Sequence, residues 1–191
     1  MLCGLAAVGL IARAVRYLLR FPLWGDEVAM AANLLDRGWH DLLKPLEYDQ
    51  VAPLGFLWAE LASVRALGLS EYSLRLPAFV CSLASVVLFL RFAGRMVQGA
   101  SLVLAVGIFA VSYPCIRYAA EAKHYGCELL ASVLLLWLLA QWITTGDAKW
   151  LWLVALAIPV SMFFSFIAVF IFGGVIVTAV LWFVLLVKRG G

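Results

Sequence analysis

The chain is poor in charge. Of its 191 residues only 13% are Asp, Glu, Lys or Arg, about half the share of an ordinary soluble domain. In contrast, 66% of the residues are hydrophobic and the mean hydropathy is +1.05. No water-soluble domain of this size hides so much apolar surface in one core, which excludes a soluble enzyme, a disordered tail and a nucleic-acid-binding domain. The composition predicts an all-α polytopic membrane protein.

Clustered metal ligands and paired cysteines are also missing. The four cysteines lie in or beside apolar runs, with neither C-x-x-C spacing nor a histidine cluster nearby. We therefore expect no disulfide framework and no zinc site. Asp26 and Glu27 could ligate a divalent ion, but two carboxylates without further oxygen ligands are weak grounds for a metal cofactor.

Apolar runs predict about six transmembrane helices, because one span needs about 20 mostly apolar residues. The predicted spans cover residues 2–20, 75–95, 99–117, 125–143, 149–163 and 166–187. The last two share one apolar stretch that is too long for a single span, and we expect a turn near Ser161 to Phe166. The first run is short and meets Arg13, but it lacks the flanks of a signal peptide, so we interpret it as a truncated or snorkelling span.

Residues 21–74 form one large polar loop in this prediction. Apolar residues at helical spacing between Glu27 and Leu43 predict an amphipathic surface helix, capped by Asp26 or its neighbour. Its predicted apolar face consists of Val28, Ala31, Ala32, Leu35 and Trp39. A second stretch, Pro53 to Leu67, either spans the membrane or lies in its interface.

The distribution of charge favours the interfacial alternative. If residues 53–67 do not span, the cations that follow the later spans all lie on one side, as the positive-inside rule requires: Arg91, Arg95, Lys149, Lys188 and Arg189. The acidic loop and the polar segment near Lys123 then share the other side. This predicts a multi-pass protein of the cell (inner) membrane, with both ends cytoplasmic and the polar loops extracytoplasmic.

Two outer segments carry polar side chains that a membrane protein does not generally need. In the first, Asp26 and Glu27 either start a solvated helix or take part in chemistry. The second packs cations, a histidine, tyrosines and a carboxylate between two spans: Arg117, Tyr118, Glu121, Lys123, His124 and Tyr125. On a helix, Arg117, Glu121 and His124 share one face. A cationic face at headgroup level suits a lipid phosphate.

Together the two segments suggest a carboxylate that faces a cationic phosphate site. Such a pair suits group transfer from a lipid-linked phosphate donor. The carboxylate takes a proton from an acceptor hydroxyl, and the cations stabilise the charge on the departing phosphate.

Four motifs then resemble the N-terminal part of the membrane glycosyltransferases with the GT-C fold, which include the protein O-mannosyltransferases, the lipid A aminoarabinose transferases and bacterial galacturonosyl- and mannosyltransferase-like proteins. They are Trp24-Gly25-Asp26-Glu27, the segment from Tyr48 to Leu57, the segment from Leu67 to Pro77, and the segment from Tyr118 to Tyr125. Each motif is weak alone, but all four occur in the family's order.

The resemblance implies a hexosyl- or pentosyltransferase that uses a polyprenyl-phosphate sugar donor. The acceptor is a lipid, a glycan or a protein. It implies that Asp26, beside Glu27, acts as general base or orients the acceptor. Glu121, Lys123 and Tyr125 then lie near the donor, and the loop with Tyr48 and Gln50 lies on the acceptor or donor side.

The chain also departs from the family. Ala52 and Ala29 stand where some relatives carry Lys and Arg. Phosphate binding therefore rests on Arg117 and Lys123, with His124 as a further candidate, or on residues not in this chain, and the aminoarabinose branch is disfavoured. Members are much longer, and we therefore expect this chain to be a fragment or truncation that is not catalytically competent alone. The alternatives are a non-catalytic membrane subunit and a transporter-like protein. The second is disfavoured because ionisable residues are almost absent from mid-span positions after residue 76.

Overall fold

A computed structural model of the chain describes residues 1–190, with side chains through Leu185, and within this range it contains helices and turns but no strand. The helices are α1 (Leu2–Leu18), α2 (Gly25–Asp36), α3 (Leu54–Leu67), α4 (Glu71–Met96), α5 (Gly99–Val111), α6 (Tyr113–Arg117), α7 (Tyr125–Thr145), α8 (Lys149–Phe164) and α9 (Ala168–Gly190). Short 3₁₀ turns lie at Asp41–Leu43 and Tyr118–Ala120.

Within the described residues, three helices are long and apolar enough to cross a membrane: α4, α7 and the Ala168–Leu185 part of α9. α5 and the segment Tyr113–Ala120 pass the same test together but are bent by 46°, so they count as a fourth span only if the bend lies within one crossing. α8 is apolar but shorter. The all-helical fold is therefore confirmed for the described residues, and three to four helices could span a membrane. The count of six spans stays a prediction.

The turn predicted near Ser161 to Phe166 is confirmed. α8 ends at Phe164, and Ser165 has an extended backbone. The Ser165 hydroxyl accepts a hydrogen bond from the Ala168 backbone N–H at 3.1 Å, which caps the first turn of α9.

Two prolines leave backbone carbonyls without their helical donors, and other helices supply replacements. Pro77 has no N–H for the Ser73 carbonyl, which instead accepts a hydrogen bond from the Ser63 hydroxyl of α3 at 2.6 Å. Pro114 likewise leaves the Ala110 carbonyl free at the break between α5 and α6. Each proline therefore becomes a point where two helices are joined.

The donor at the second break is Arg13, a fully buried arginine of α1. Its guanidinium donates to the Ala110 and Phe109 carbonyls at 3.2 and 3.4 Å, to Gly9 at 2.9 Å and to the Ser82 hydroxyl at 3.1 Å. It also lies 5.5 Å from the centre of the Phe109 ring. A cation inside an apolar bundle is thus satisfied by carbonyls and an aromatic face rather than by a carboxylate.

α4 and α7 form the centre of the bundle. At Gly126 of α7 the backbone of Ala78 lies so close that no Cβ fits between the helices. At the opposite end, Arg95 donates to the Gln141 side chain at 2.6 Å. Arg75 and Arg95 lie twenty residues apart on α4, which is about 30 Å along a helix. The loop residues near Arg75 and the cations near Arg95 therefore lie at opposite ends of the bundle, while Lys188 and Arg189 lie outside the residues with described side chains.

The loop helices pack as a small cap on the Arg75 end. Its apolar core joins α2, α3, the start of α4 and the turn before α7: Met30, Ala31, Leu34, Leu42, Leu57, Leu61, Leu74 and Ala122. α3 has 14 residues, or about 21 Å, which is too short to cross a core of about 30 Å. The interfacial alternative for residues 53–67 fits this length.

The prediction for α2 was wrong in its end and in its buried face. The helix ends at Asp36, because Arg37 has an extended backbone just before Gly38, and Trp24 rather than Asp26 holds the N-cap position. Val28, Leu35 and Trp39 are exposed, whereas Glu27, Met30, Ala31 and Leu34 are buried. The buried positions follow Glu27 at helical spacing, so a buried carboxylate rather than the weak apolar pattern determines which side of α2 faces inward.

The segment from Arg117 to Tyr125, between the two predicted spans, is not a continuous helix. α6 ends at Arg117, a 3₁₀ turn follows, and Glu121 has an extended backbone before α7 begins at Tyr125. In this irregular stretch the Ala122 N–H is free to bond a side chain near the Arg75 end of α4. That end of the bundle contains the candidate site.

Candidate functional site

Glu27 forms a buried ion pair with Arg75. The two carboxylate oxygens accept hydrogen bonds from Arg75 Nε at 2.8 Å and Nη2 at 2.7 Å, and neither side chain is appreciably exposed. Arg75 also donates to the carbonyl of Phe21 at 2.7 Å. This two-pronged geometry is the strongest arrangement available to an arginine and a carboxylate.

Backbone groups complete the coordination of Glu27. The Ala122 N–H donates to Oε1 at 2.7 Å, and the Trp24 N–H donates to Oε2 at 3.3 Å. Both oxygens are therefore fully occupied, and one carboxylate joins α2, α4 and the turn before α7. Glu27 was predicted beside Asp26 as a candidate catalytic residue, and its side chain faces Arg75 and backbone N–H groups.

Asp26, the next residue back along the chain, has a different environment. About half of its side chain is exposed, and its Oδ2 lies 3.2 Å from Lys123 Nζ. Lys123 is itself nearly buried and donates to Gln50 Oε1 at 2.8 Å. The structure thus brings together a carboxylate, an ammonium and an amide from three separate segments that the sequence singled out.

Gln50 reaches Lys123 because the chain before it turns sharply. Tyr48 and Asp49 have positive φ angles of 60° and 53°, a conformation that costs free energy for residues other than glycine. The Gln50 side-chain amide donates to the Tyr48 carbonyl at 3.2 Å, while the Tyr48 side chain is largely exposed. Tyr48 therefore contributes its backbone to the site.

Arg117 and Glu121 form a separate pair. Arg117 Nε donates to Glu121 Oε1 at 2.8 Å, and the Arg117 side chain is partly exposed whereas Glu121 is buried. Among the described residues no hydrogen bond or ion pair joins Arg117 to Lys123. The segment is not one helix, so the face that Arg117, Glu121 and His124 would share on a helix does not form, and Arg117 pairs with Glu121.

His124 is neutral at physiological pH. Burial lowers its pKa to about 4, and the nearby Lys123 charge acts in the same direction. Its Nε2 lies 3.5 Å from Glu128 Oε1, and its ring lies 5.2 Å from that of Tyr125. His124 therefore adds no positive charge for a phosphate, and among the predicted cations only Lys123 faces Asp26.

Glu60 is a site residue that the sequence argument missed. It is fully buried, and neither oxygen has a hydrogen-bond partner among the described residues. Burial raises its pKa well above the usual value, Lys123 opposes that rise and Glu27 adds to it. Glu60 belongs to the site because the packing of α3 brings it near Lys123 and Glu27. The sequence around Glu60 does not reveal this tertiary contact.

Two cavities flank this cluster. An open cleft of about 670 Å³ lies in the loop and is lined by Lys44, Asp49, Gln50 and mostly apolar residues. An apolar cavity of about 240 Å³ lies between α7 and the segment formed by α6 and the 3₁₀ turn after it, bounded by Tyr118, Tyr125 and Glu128. One cavity is thus partly polar and meets Gln50, and the other is apolar and begins at Tyr125.

The donor set does not fit a metal ion. Within the part of the chain with described side chains, no group of three or more His, Cys, Asp and Glu residues could hold one. Glu27 also has no free oxygen, since Arg75, Ala122 and Trp24 occupy both.

Comparison of the chain with family models, with curated proteins and with solved structures finds no match. The geometry around Asp26 and Lys123 is therefore the basis for an assignment of function.

Proposed function

We propose that the chain is part of a membrane glycosyltransferase that transfers a sugar from a polyprenyl-phosphate donor to an acceptor hydroxyl at the extracytoplasmic face. The observation that carries the proposal is the pair of Asp26 with Lys123 at 3.2 Å. A half-exposed carboxylate beside a nearly buried ammonium supplies both a proton acceptor and an anion site. The resemblance to the GT-C glycosyltransferases points to the same two segments.

In this mechanism Lys123 binds the donor phosphate, and Gln50 holds the ammonium in place. The phosphate competes with Asp26 for Lys123, so donor binding releases the Asp26 carboxylate toward the acceptor. Asp26 then takes the acceptor proton while the acceptor oxygen bonds to the sugar. The bond from the sugar to the phosphate oxygen breaks, and Lys123 stabilises the charge left on the departing phosphate.

The remaining predicted residues take supporting roles. Glu27 and Arg75 hold the carboxylate-bearing end of α2 against the turn that carries Lys123. The apolar cavity at Tyr118 and Tyr125 suits the first units of a polyprenyl chain, and the cleft beside Gln50 suits the acceptor, whether lipid, glycan or protein. Arg117 and Glu121 pair with each other and take no direct part in these steps.

The proposal includes six spans in the cell membrane, with α1, the bent pair α5–α6 and α8 crossing in addition to α4, α7 and α9. Arg95 and the site lie at opposite ends of α4, and that separation agrees with the positive-inside rule. Asp49 and Asp147 are both exposed and provide matched reporters for the two faces.

Cysteine labelling tests this topology. In a background without the four native cysteines, an impermeant thiol reagent added to intact cells should label Asp49→Cys and should label Asp147→Cys only after the membrane is opened. The reverse pattern, or labelling of both from outside, contradicts the six-span arrangement.

Sugar transfer by the full-length protein tests the chemistry. Asp26→Asn should lower turnover by about 10²–10⁴-fold, because a general base is lost while the side-chain shape remains. Lys123→Ala should instead raise the donor concentration needed, since a charged hydrogen bond of about 1.5–3 kcal/mol to phosphate is lost. Near-normal turnover by Asp26→Asn contradicts the role of Asp26, whereas no sugar transfer by the full-length wild type favours a non-catalytic membrane subunit.

A further inference from the structure

Glu60 lies on α3 and is closed off from solvent, and neither of its oxygens has a donor among the described residues. A carboxylate buried in this way is strongly unfavourable, whereas a neutral carboxylic acid of the same shape is far less costly. The side chain is therefore held in its protonated form. Neither the chemistry proposed above nor the packing of α3 requires an acid at this position.

The charges around Glu60 come from several elements. Lys123 from the turn before α7 and Glu27 from α2 act on it most directly, and Glu27 is already neutralised by Arg75 of α4. Glu60 in turn acts on the Cys127 thiol of α7. His124, in the same turn as Lys123, is neutral, and α8 carries no titratable side chain after Lys149. Among these groups Lys123 is thus the cation that acts on Glu60, and its ion-pair partner is the half-exposed Asp26.

The protonation state of Glu60 decides how strongly Lys123 attracts an anion. With Glu60 neutral, the ammonium has one carboxylate partner, Asp26, and one amide partner, Gln50. An ionised Glu60 adds a second negative charge near the ammonium in a poorly solvated region. That charge competes for Lys123 and repels an approaching anion.

We propose that Glu60 is a further residue of this site, a neutral acid behind Lys123 that keeps the ammonium available to a phosphate, and that its ionisation closes the site to anions. The inference rests on the proposed function, because it takes Lys123 as the phosphate-binding group. Glu60 acts through Lys123, so it is a positioning residue rather than a catalytic one.

Binding of a prenyl phosphodiester to the full-length protein in detergent micelles tests this role. Such a probe keeps a single negative charge between about pH 6 and about pH 9, so any change in affinity belongs to the protein. The wild type should lose about tenfold or more in affinity as the pH rises through the raised pKa of Glu60. Glu60→Gln, which mimics the neutral acid, should keep the low-pH affinity throughout. Glu71→Gln, which changes a partly exposed carboxylate, should behave as the wild type.

The outcomes separate the two proposals. A parallel loss of affinity in the wild type and in Glu60→Gln, or a wild-type affinity that does not vary with pH, overturns the role of Glu60 and leaves the phosphate site intact. Absence of probe binding by the wild type at every pH, or unchanged binding by Lys123→Ala, overturns the phosphate site itself and the role of Glu60 with it.

Infrared spectroscopy provides a check without a ligand. The wild type should show a protonated carboxyl band at neutral pH that Glu60→Gln lacks, and the band should disappear as the pH rises. If that band is missing from the wild type at neutral pH, Glu60 is ionised in the folded protein and the inference fails.

Discussion

Two arginines are buried, one beneath the loop helices and one inside the helical bundle, and their charges are stabilised in different ways. Arg75, beneath the loop helices, meets the carboxylate of Glu27 in a two-pronged ion pair. Arg13, inside the helical bundle, meets three backbone carbonyls, a serine hydroxyl and an aromatic ring. The positive charge of Arg75 is therefore neutralised by the full negative charge of Glu27. The charge of Arg13 is stabilised only by the partial negative charges of carbonyls, a hydroxyl and a ring face.

The difference follows from what each region has to hold together. At Arg13 the break before Pro114 leaves carbonyls without donors, and the guanidinium satisfies them and fixes the bend between α5 and α6. At Arg75 the task is to anchor α2, and a carboxylate does so with directional bonds on both oxygens. Because Glu27 neutralises Arg75, Asp26 and Lys123 are left to pair with each other. In the proposed function the donor phosphate separates this pair.

The largest expected effect is the loss of the Glu27 charge. Glu27→Gln leaves Arg75 buried without a counter-ion, which should lower the free energy of unfolding by about 3–5 kcal/mol. Denaturant unfolding in detergent micelles measures this. The matched control is Glu71→Gln, which removes the partly exposed pair with Arg20 at 2.9 Å and should cost about 0–1 kcal/mol. Equal costs for the two variants contradict the structural role of Glu27.

A smaller effect is expected at Arg13. Arg13→Met removes the cation together with its desolvation cost but leaves the Ala110 and Phe109 carbonyls without donors, so it should cost about 1–3 kcal/mol. The control on the same helix is Arg16→Met, which loses only a contact with the Phe21 ring at 3.8 Å, worth about 0.5–1 kcal/mol. Denaturant unfolding in detergent micelles again measures the free energy of unfolding. If Arg13→Met lowers it by more than Glu27→Gln does, the proposed difference between the two arginines is wrong.

The membrane helices could be predicted because their cause is local. Long apolar runs and the polar break at Ser165 place the ends of α4, α7, α8 and α9 within a few residues of the predicted spans. The orientation of α2 could not be predicted in the same way. Its apolar residues form no dominant stripe, and the inward face is set by the bond from Glu27 to Arg75, forty-eight residues away.

The site was predictable in its composition but not in its division of roles. Asp26, Gln50 and Lys123 were all singled out from sequence, and the structure brings them together. That Glu27 is occupied by Arg75, that Arg117 is held by Glu121 and that His124 is neutral are consequences of burial and packing. Glu60 was missed for the same reason, since an isolated acid in an apolar stretch carries no local signal of what it faces.

The most direct measurement compares Asp26→Asn with Glu27→Gln in one preparation, for stability and for sugar transfer. The account predicts that Asp26→Asn unfolds within about 1 kcal/mol of the wild type, because its pair with Lys123 is half-exposed, and yet loses turnover. Glu27→Gln should lose stability, and the fraction that remains folded should keep part of its turnover. If Asp26→Asn is as unstable as Glu27→Gln, or if it transfers sugar normally, the division into a structural pair and a functional pair is wrong.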